Sequence, residues 1–221
     1  MSIPLPFLTQ YECRNETLEV YASDRRGEIS YSFNNYGYRN NIDYNETETN
    51  AGIYVGSSIT SGIGIDWTSS FAWLSSEQLG VKCYHFSQGC MPVDNQEILR
   101  VLSTIKKHSS LTPNYFVIQF IGLDRRYNID TGFVGYEQDA TKNIALFQQI
   151  FVEIEDLLKN DTWCFIGSDG SNTVLPDSIK KHSKCAGWNY PMVDYAGVTN
   201  HPGKKWHLVM SKSIVNKLKK T

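Results

Sequence analysis

The stretch from Ala51 to Ile65, Ala-Gly-Ile-Tyr-Val-Gly-Ser-Ser-Ile-Thr-Ser-Gly-Ile-Gly-Ile, constrains this chain more than any other. Ile53, Tyr54 and Val55 make a short β-branched and aromatic run that stops at Gly56. Small hydroxylated residues follow, then Gly62 and Gly64, and a helical pattern sets in from about Trp67. A buried strand reads this way when it ends in a tight turn that feeds a helix. A serine in such a turn stands at the carboxyl edge of a sheet, near backbone N–H groups that neither strand nor helix has used. Those groups suit an oxyanion, so Ser57 or Ser58 is a candidate nucleophile. The stretch equally fits an ordinary strand–helix loop with capping serines.

Beyond residue 65 the alternation of elements becomes regular. The pattern predicts a helix over about 67–79 with Trp67, Phe71 and Leu74 on one side, ended by Gly80, then a strand from Val81 to Phe86. Ile98, Val101, Leu102 and Ile105 fall at helical spacing behind a cap at Asp94 or Asn95. Tyr115 to Ile121 is a nearly continuous apolar run, as in a strand covered on both faces. Gly122 to Tyr127 and the stretch with Gly132 and Gly135 read as loop. A long helix over about 139–159 carries Ile144, Phe147, Phe151, Ile154 and Leu158, and Trp163 to Ile166 is another buried strand. Residues 173–200 carry no clear pattern, and a last helix follows His201-Pro202-Gly203 with Leu208, Ile214, Val215 and Leu218 on its apolar side. Short strands alternating with amphipathic helices predict an α/β fold, a three-layer α/β/α sandwich with a mainly parallel sheet. One domain over residues 1–221 is expected. Residues 1–50 read as an irregular N-terminal extension packed on it, with one strand over Glu28 to Phe33 and a turn around Gly37.

Composition narrows the function. The 221 residues are long enough for a substantial core. With 21 basic and 23 acidic side chains the formal charge is −2, which predicts no general affinity for nucleic acid or an anionic membrane. No apolar run approaches the ~20 residues of a spanning helix, and Pro4 and Pro6 interrupt a start that lacks a basic n-region. Five scattered cysteines, Cys13, Cys83, Cys90, Cys164 and Cys185, without a Cys-x-x-Cys pair, suit free thiols in a reducing, cytoplasmic compartment.

In parallel sheets the reacting groups gather at the carboxyl ends of strands. Here those ends are Gly56-Ser57-Ser58, Ser87-Gln88-Gly89, Gly122-Leu123-Asp124 and Gly167-Ser168-Asp169. A serine needs a base to remove its proton. His85 lies inside a strand, His108 ends a helix and His182 follows two lysines, whereas His201 stands at the mouth of the last helix. His201 is therefore the candidate base, with a surface histidine in a turn as the bland reading. The glycines at 56, 62 and 64 lack the Gly-Lys-Ser/Thr of a phosphate loop and do not form Gly-x-Gly-x-x-Gly. His182 and Cys185 have too few partners at useful spacing for a metal.

The order and spacing of these parts resemble the SGNH, or GDSL, hydrolase family, most closely its small single-domain phage and bacterial members. Gly56-Ser57-Ser58-Ile59-Thr60 is similar to the block Gly-Asp-Ser-x-Thr, with Ser58 in the nucleophile position. Asn35-Tyr36-Gly37-Tyr38-Arg39 looks like the Asn-x-x-Gly-Phe-Arg segment that often precedes it, and His201-Pro202-Gly203 looks like the block holding the catalytic histidine. The likeness covers roughly residues 30 to 218.

The resemblance implies an esterase acting on a small-molecule or carbohydrate ester, with no metal or organic cofactor. Ser58 would attack the acyl carbonyl while His201 takes its proton and later returns it to the leaving alcohol. The oxyanion would be held by the N–H groups of Ser58 and Gly89 and by a third donor from the loop at 122–125. There the family's Gly-x-Asn-Asp reads Gly122-Leu123-Asp124-Arg125. An ionised Asp124 carboxylate cannot donate, so Arg125 or another donor takes that place. The acid normally three residues before the histidine is Val198. Asp194, seven residues ahead, completes a triad if the loop folds back; otherwise the site is a Ser–His dyad. Two other readings share the fold: a binding protein that has lost turnover, and an acyltransferase that moves an acetyl group to a sugar.

Overall fold

Alternate side chains of the central strands enter two different cores. Ile53 and Val55, Phe116 and Ile118, and Trp163 and Phe165 pack on one face of the sheet with Ile98, Leu102, Phe147 and Ile154. Tyr54, Tyr115, Val117, Cys164 and Ile166 pack on the other with Phe71, Trp206, Met210 and Ile214. Period-two alternation with apolar residues on both faces is what a sheet buried between two helical layers requires. The computed structural model describes residues 17–20, 29–34, 38–40, 42–45, 47–87, 94–108, 111–128, 133–167, 174–196 and 201–220.

The elements in chain order are β1 (Thr17–Val20), β2 (Ile29–Ser32), β3 (Ala51–Gly56), α1 (Phe71–Leu79), β4 (Lys82–Ser87), α2 (Asn95–His108), β5 (Tyr115–Gln119), β6 (Arg125–Asn128), β7 (Phe133–Tyr136), α3 (Ala140–Leu157), β8 (Trp163–Gly167), α4 (Asp177–Lys180), β9 (Cys185–Trp188) and α5 (Lys204–Leu218). The central sheet runs β4-β3-β5-β8-β9, and every pairing in it is parallel. Helices α1 and α5 cover one face, α2 and α3 the other. The expected three-layer α/β/α sandwich is therefore present. Strand order reverses between β3 and β5, and such a switch point opens a crevice at the carboxyl ends of the strands.

Several elements differ from the sequence expectation. Trp67–Ser69 is a 3-10 turn, and α1 begins only after Ser70, whose hydroxyl accepts from the Trp73 N–H at 3.2 Å. A serine that satisfies a helix-end N–H is worth more as a cap than inside a helix. The stretch after Gly122 forms the antiparallel pair β6–β7 rather than loop. Within 173–200, which carried no pattern, β9 extends the sheet and α4 precedes it. Leu208 is exposed on α5, and Trp206, His207 and Met210 are buried in its place. The predicted Glu28–Phe33 strand corresponds to β2, paired with β1, which the sequence did not reveal. Gly37 lies outside the described residues.

The segment before β3 covers the β4 edge. Tyr38 and Tyr44 sit in the core beside Tyr84 and Phe86. The Asn40 side-chain amide donates to the Cys83 carbonyl at 2.9 Å. The Tyr44 hydroxyl accepts from the His85 N–H at 2.9 Å and donates to the His85 carbonyl. Side chains thus satisfy backbone groups that an edge strand would leave open for pairing. Among the described residues no helix is long and apolar enough to cross a membrane.

Candidate active site

Gly56 ends β3, and the chain turns sharply over residues 57–66. The turn closes on its own backbone: Ser61 N–H donates to the Ser57 carbonyl at 3.2 Å and Ile63 N–H to the Ser58 carbonyl at 3.1 Å. Two buried side chains then fix it from outside. The Gln119 amide oxygen, at the end of β5, accepts from the Ser57 N–H and the Ser57 hydroxyl, both at 2.8 Å, and from the Thr60 hydroxyl at 3.2 Å. A side chain at position 56 would place its Cβ 2.2 Å from Thr60 Oγ1 and 2.7 Å from Gln119 Cβ, so this approach needs glycine. From the other side the buried Arg39 guanidinium donates to the carbonyls of Ser61 (2.9 Å), Gly62 and Ile65 (2.6 Å). An arginine fork can serve several carbonyls at once.

Ser57 is buried inside this scaffold, and Ser58 is partly exposed above it. Of the two candidate serines, then, Ser57 is committed to Gln119 and Ser58 faces the crevice. The Ser58 N–H is used by none of the hydrogen bonds among the described residues.

His201 Nε2 lies 2.9 Å from Ser58 Oγ. The histidine reaches this position because its backbone is pinned: Ala196 N–H donates to the His201 carbonyl at 2.9 Å, and Gly203 N–H to the Asp194 carbonyl at 3.0 Å. Burial and then the positive charge of Arg125 hold the imidazole below its ordinary pKa. A neutral imidazole at neutral pH can accept a proton. Arg125 follows Asp124 out of the β5 loop; its Nε is buried and makes no hydrogen bond among the described residues. Asp124 is buried too, and its carbonyl accepts from the Glu137 N–H at 2.7 Å. Gly89 and Val198 lie outside the described residues.

Asp194 does not meet His201. Its carboxylate oxygens accept from the backbone N–H groups of Lys205 and Trp206, each at 2.9 Å, in the first turn of α5. His201 Nδ1 is buried and has no hydrogen-bond partner among the described residues. The helix end explains the choice. Gly203 is the N-cap of α5 and offers no side-chain oxygen, while the free N–H groups of a first turn attract a carboxylate. A Cβ on Gly203 would lie 2.4 Å from Asp194 Oδ2, so the missing side chain admits the substitute cap. The described residues on either side of 197–200 do pair with each other, but the helix takes the acid.

Gln119 and the capping role of Asp194 were missed in the sequence. Gln119 reads there as one residue of an apolar run, and its polar character at the end of that run was the available signal. Another buried imidazole, His207, accepts from the Phe71 N–H through Nδ1 at 3.0 Å and stacks on the Phe71 ring. Burial lowers its pKa to about 3, and it supports the start of α1 without facing Ser58.

No protein-family model matches the chain, and no curated protein matches it. Among solved structures it is similar to a carbohydrate esterase family 2 enzyme with a carbohydrate-binding domain from Corynascus thermopiles (Myceliophthora fergusii). Identity is 11%, with 80% of this chain and 68% of that one covered at a TM-score of 0.49. The acetyl xylan esterase Est2A from the rumen bacterium Butyrivibrio proteoclasticus is 18% identical, over 82% of this chain and 66% of that one, with a TM-score of 0.47. TesA is 14% identical over 77% of this chain and 98% of its own, with a TM-score of 0.46. The chain thus spans about two thirds of the length of the two carbohydrate esterases. At such identities these likenesses assign no residue and no substrate to this chain.

Proposed function

We propose that the chain is a serine hydrolase of the SGNH type that cleaves a carboxylic ester, in a single cytoplasmic domain over residues 1–221. The observation that carries this reading is the 2.9 Å approach of His201 Nε2 to Ser58 Oγ, between residues that the sequence places 143 positions apart. His201 Nε2 takes the hydroxyl proton as Ser58 Oγ bonds to the acyl carbon. The carbonyl oxygen, now negative, is held by the Ser58 N–H and by the Arg125 guanidinium, whose Nε has no partner among the described residues, with Gly89 as a further donor. Collapse of the tetrahedral centre breaks the bond to the alcohol oxygen, which receives the proton from His201. Water repeats the sequence and frees Ser58. With no acceptor on Nδ1 among the described residues, the pair works as a dyad whose ring is oriented by its backbone and by Ser58. An acetylated carbohydrate is one ester this chemistry accommodates.

A second reading draws on the same unpartnered Nδ1: a binding protein that keeps the fold without turnover. The two separate on one experiment. Under the hydrolase reading Ser58→Ala lowers kcat on an activated ester by at least ~10³-fold with an unchanged unfolding midpoint, and a fluorophosphonate labels Ser58 in the unmodified protein. Turnover retained in Ser58→Ala displaces the nucleophile, and absence of labelling favours the binding protein.

A further inference from the structure

Beside the Ser58–His201 pair lies a cavity of about 120 Å³. Ile59 and Pro202, the chain neighbours of Ser58 and His201, form part of its wall, and Ile166, Tyr190, Trp206 and Met210 form much of the rest. The wall is stiff. Trp206 is held through its backbone N–H by Asp194 at 2.9 Å and through Nε1 by the Tyr190 carbonyl at 3.4 Å, and Met210 is buried against β9. Met192 also lines the cavity and is 41% exposed, which places it at the mouth.

The polar side-chain groups in the lining are the Gln119 and Asn189 amides, the Tyr190 hydroxyl and the Trp206 indole N–H, the last already donating to the Tyr190 carbonyl. The Gln119 oxygen already accepts from Ser57 and Thr60, and its nitrogen donates to the Phe120 carbonyl at 2.9 Å. A sugar needs several converging donors and acceptors, since each hydroxyl buried without a partner is costly. Among the described residues this wall does not provide them. Its apolar character matches a hydrocarbon group, and an apolar cavity of about 150 Å³ is large enough for benzene.

We propose that the cavity is a subsite for an apolar group of about four to six carbons, carried by the ester that Ser58 cleaves. The inference rests on the hydrolase reading and names the substrate class for it: a short-to-medium alkyl or aryl ester rather than a bare acetate on a sugar. The group is attached either to the scissile carbonyl or to the leaving oxygen, and two substrate series tell these apart.

In one series the acyl chain of p-nitrophenyl esters grows from two to ten carbons; in the other the alkyl group of acetate esters grows from one to eight. The expected result is a rise in kcat/KM of about fourfold per methylene in one series, reaching its maximum at four to six carbons. Met192→Trp, at the exposed mouth, lowers the ratio of six-carbon to two-carbon kcat/KM about tenfold, and Met192→Ala moves the maximum to longer chains. Turnover that is highest for the shortest member of both series overturns the subsite while leaving the hydrolase reading intact. So does a maximum that neither Met192 variant moves. No turnover in either series, together with no labelling of Ser58 by a fluorophosphonate, overturns both.

Discussion

The two halves of the Ser58–His201 pair are built in opposite ways. The serine stands on a turn whose carbonyls and N–H groups are held by buried side chains from distant parts of the chain, Arg39 on one side and Gln119 on the other. The imidazole has its backbone pinned, yet its ring meets no supporting acceptor among the described residues. On the serine side, support comes from side chains acting on backbone. On the histidine side, the nearest acid serves the helix behind the residue. Under the hydrolase reading the two members do not need equal reinforcement: an imidazole can be aimed by its chain, whereas a serine whose N–H also holds an oxyanion needs its whole loop fixed.

That contrast breaks most readily at Arg39. Arg39→Met removes the guanidinium from the Ser61, Gly62 and Ile65 carbonyls, at a cost on the order of 3 kcal/mol in a urea titration, and esterase turnover is expected to fall at least a hundredfold even where the variant remains folded. Turnover within threefold of the unmodified protein would show that the turn holds itself.

Arg125→Gln gives the next largest effect. Loss of an oxyanion donor costs about 10²-fold in kcat. The pH profile adds a second readout. The group that must be neutral is His201, so kcat/KM rises with pH through its pKa. Burial and the Arg125 charge both depress that pKa. Removing the charge leaves the burial contribution and shifts the acid limb upward, towards the ordinary imidazole value. An acid limb that stays in place would separate Arg125 from His201.

The smallest effect is expected at Asp194. Asparagine keeps one acceptor oxygen for the two N–H groups that the carboxylate holds, so Asp194→Asn should lower the melting temperature by a few degrees while changing kcat by less than about tenfold. A loss on the order of 10⁴-fold, typical of a triad acid whose replacement reverses the histidine tautomer, would restore the triad and erase the asymmetry.

How much of this the chain announced depends on the range of the contacts concerned. Four strands of the central sheet, its two covering layers and the turn after Gly56 were legible because they follow from local periodicity and from the break at Gly56. Helix α3 appeared almost at its observed limits, since Asp139 caps it and Phe147, Phe151 and Ile154 repeat on one face. Strand β9 was not legible: Cys185-Ala-Gly-Trp188 has neither the length nor the β-branched residues of a central strand and gains its conformation by pairing with β8. The hairpin β6–β7 was hidden in the same way, because Gly132 and Gly135 read as loop. At the site, Ser58 and His201 could be proposed from their places at element ends. The position of Asp194 could not be read, because two acceptors compete for it and the winner is set by a glycine whose importance is spatial. Arg39 carried a hint in its segment but no indication of which carbonyls it would bind.

The clamp from Arg39 has a practical corollary for anyone seeking a minimal version of this protein. Trimming to Ala51 would keep every strand of the central sheet and all five helices, and the shortened chain would look complete in outline. It would lack the Arg39 guanidinium that braces the serine loop, together with the tyrosines and asparagine that cover the edge strand β4. The few described residues ahead of β3 act as a strut on which the corner around Ser58 stands.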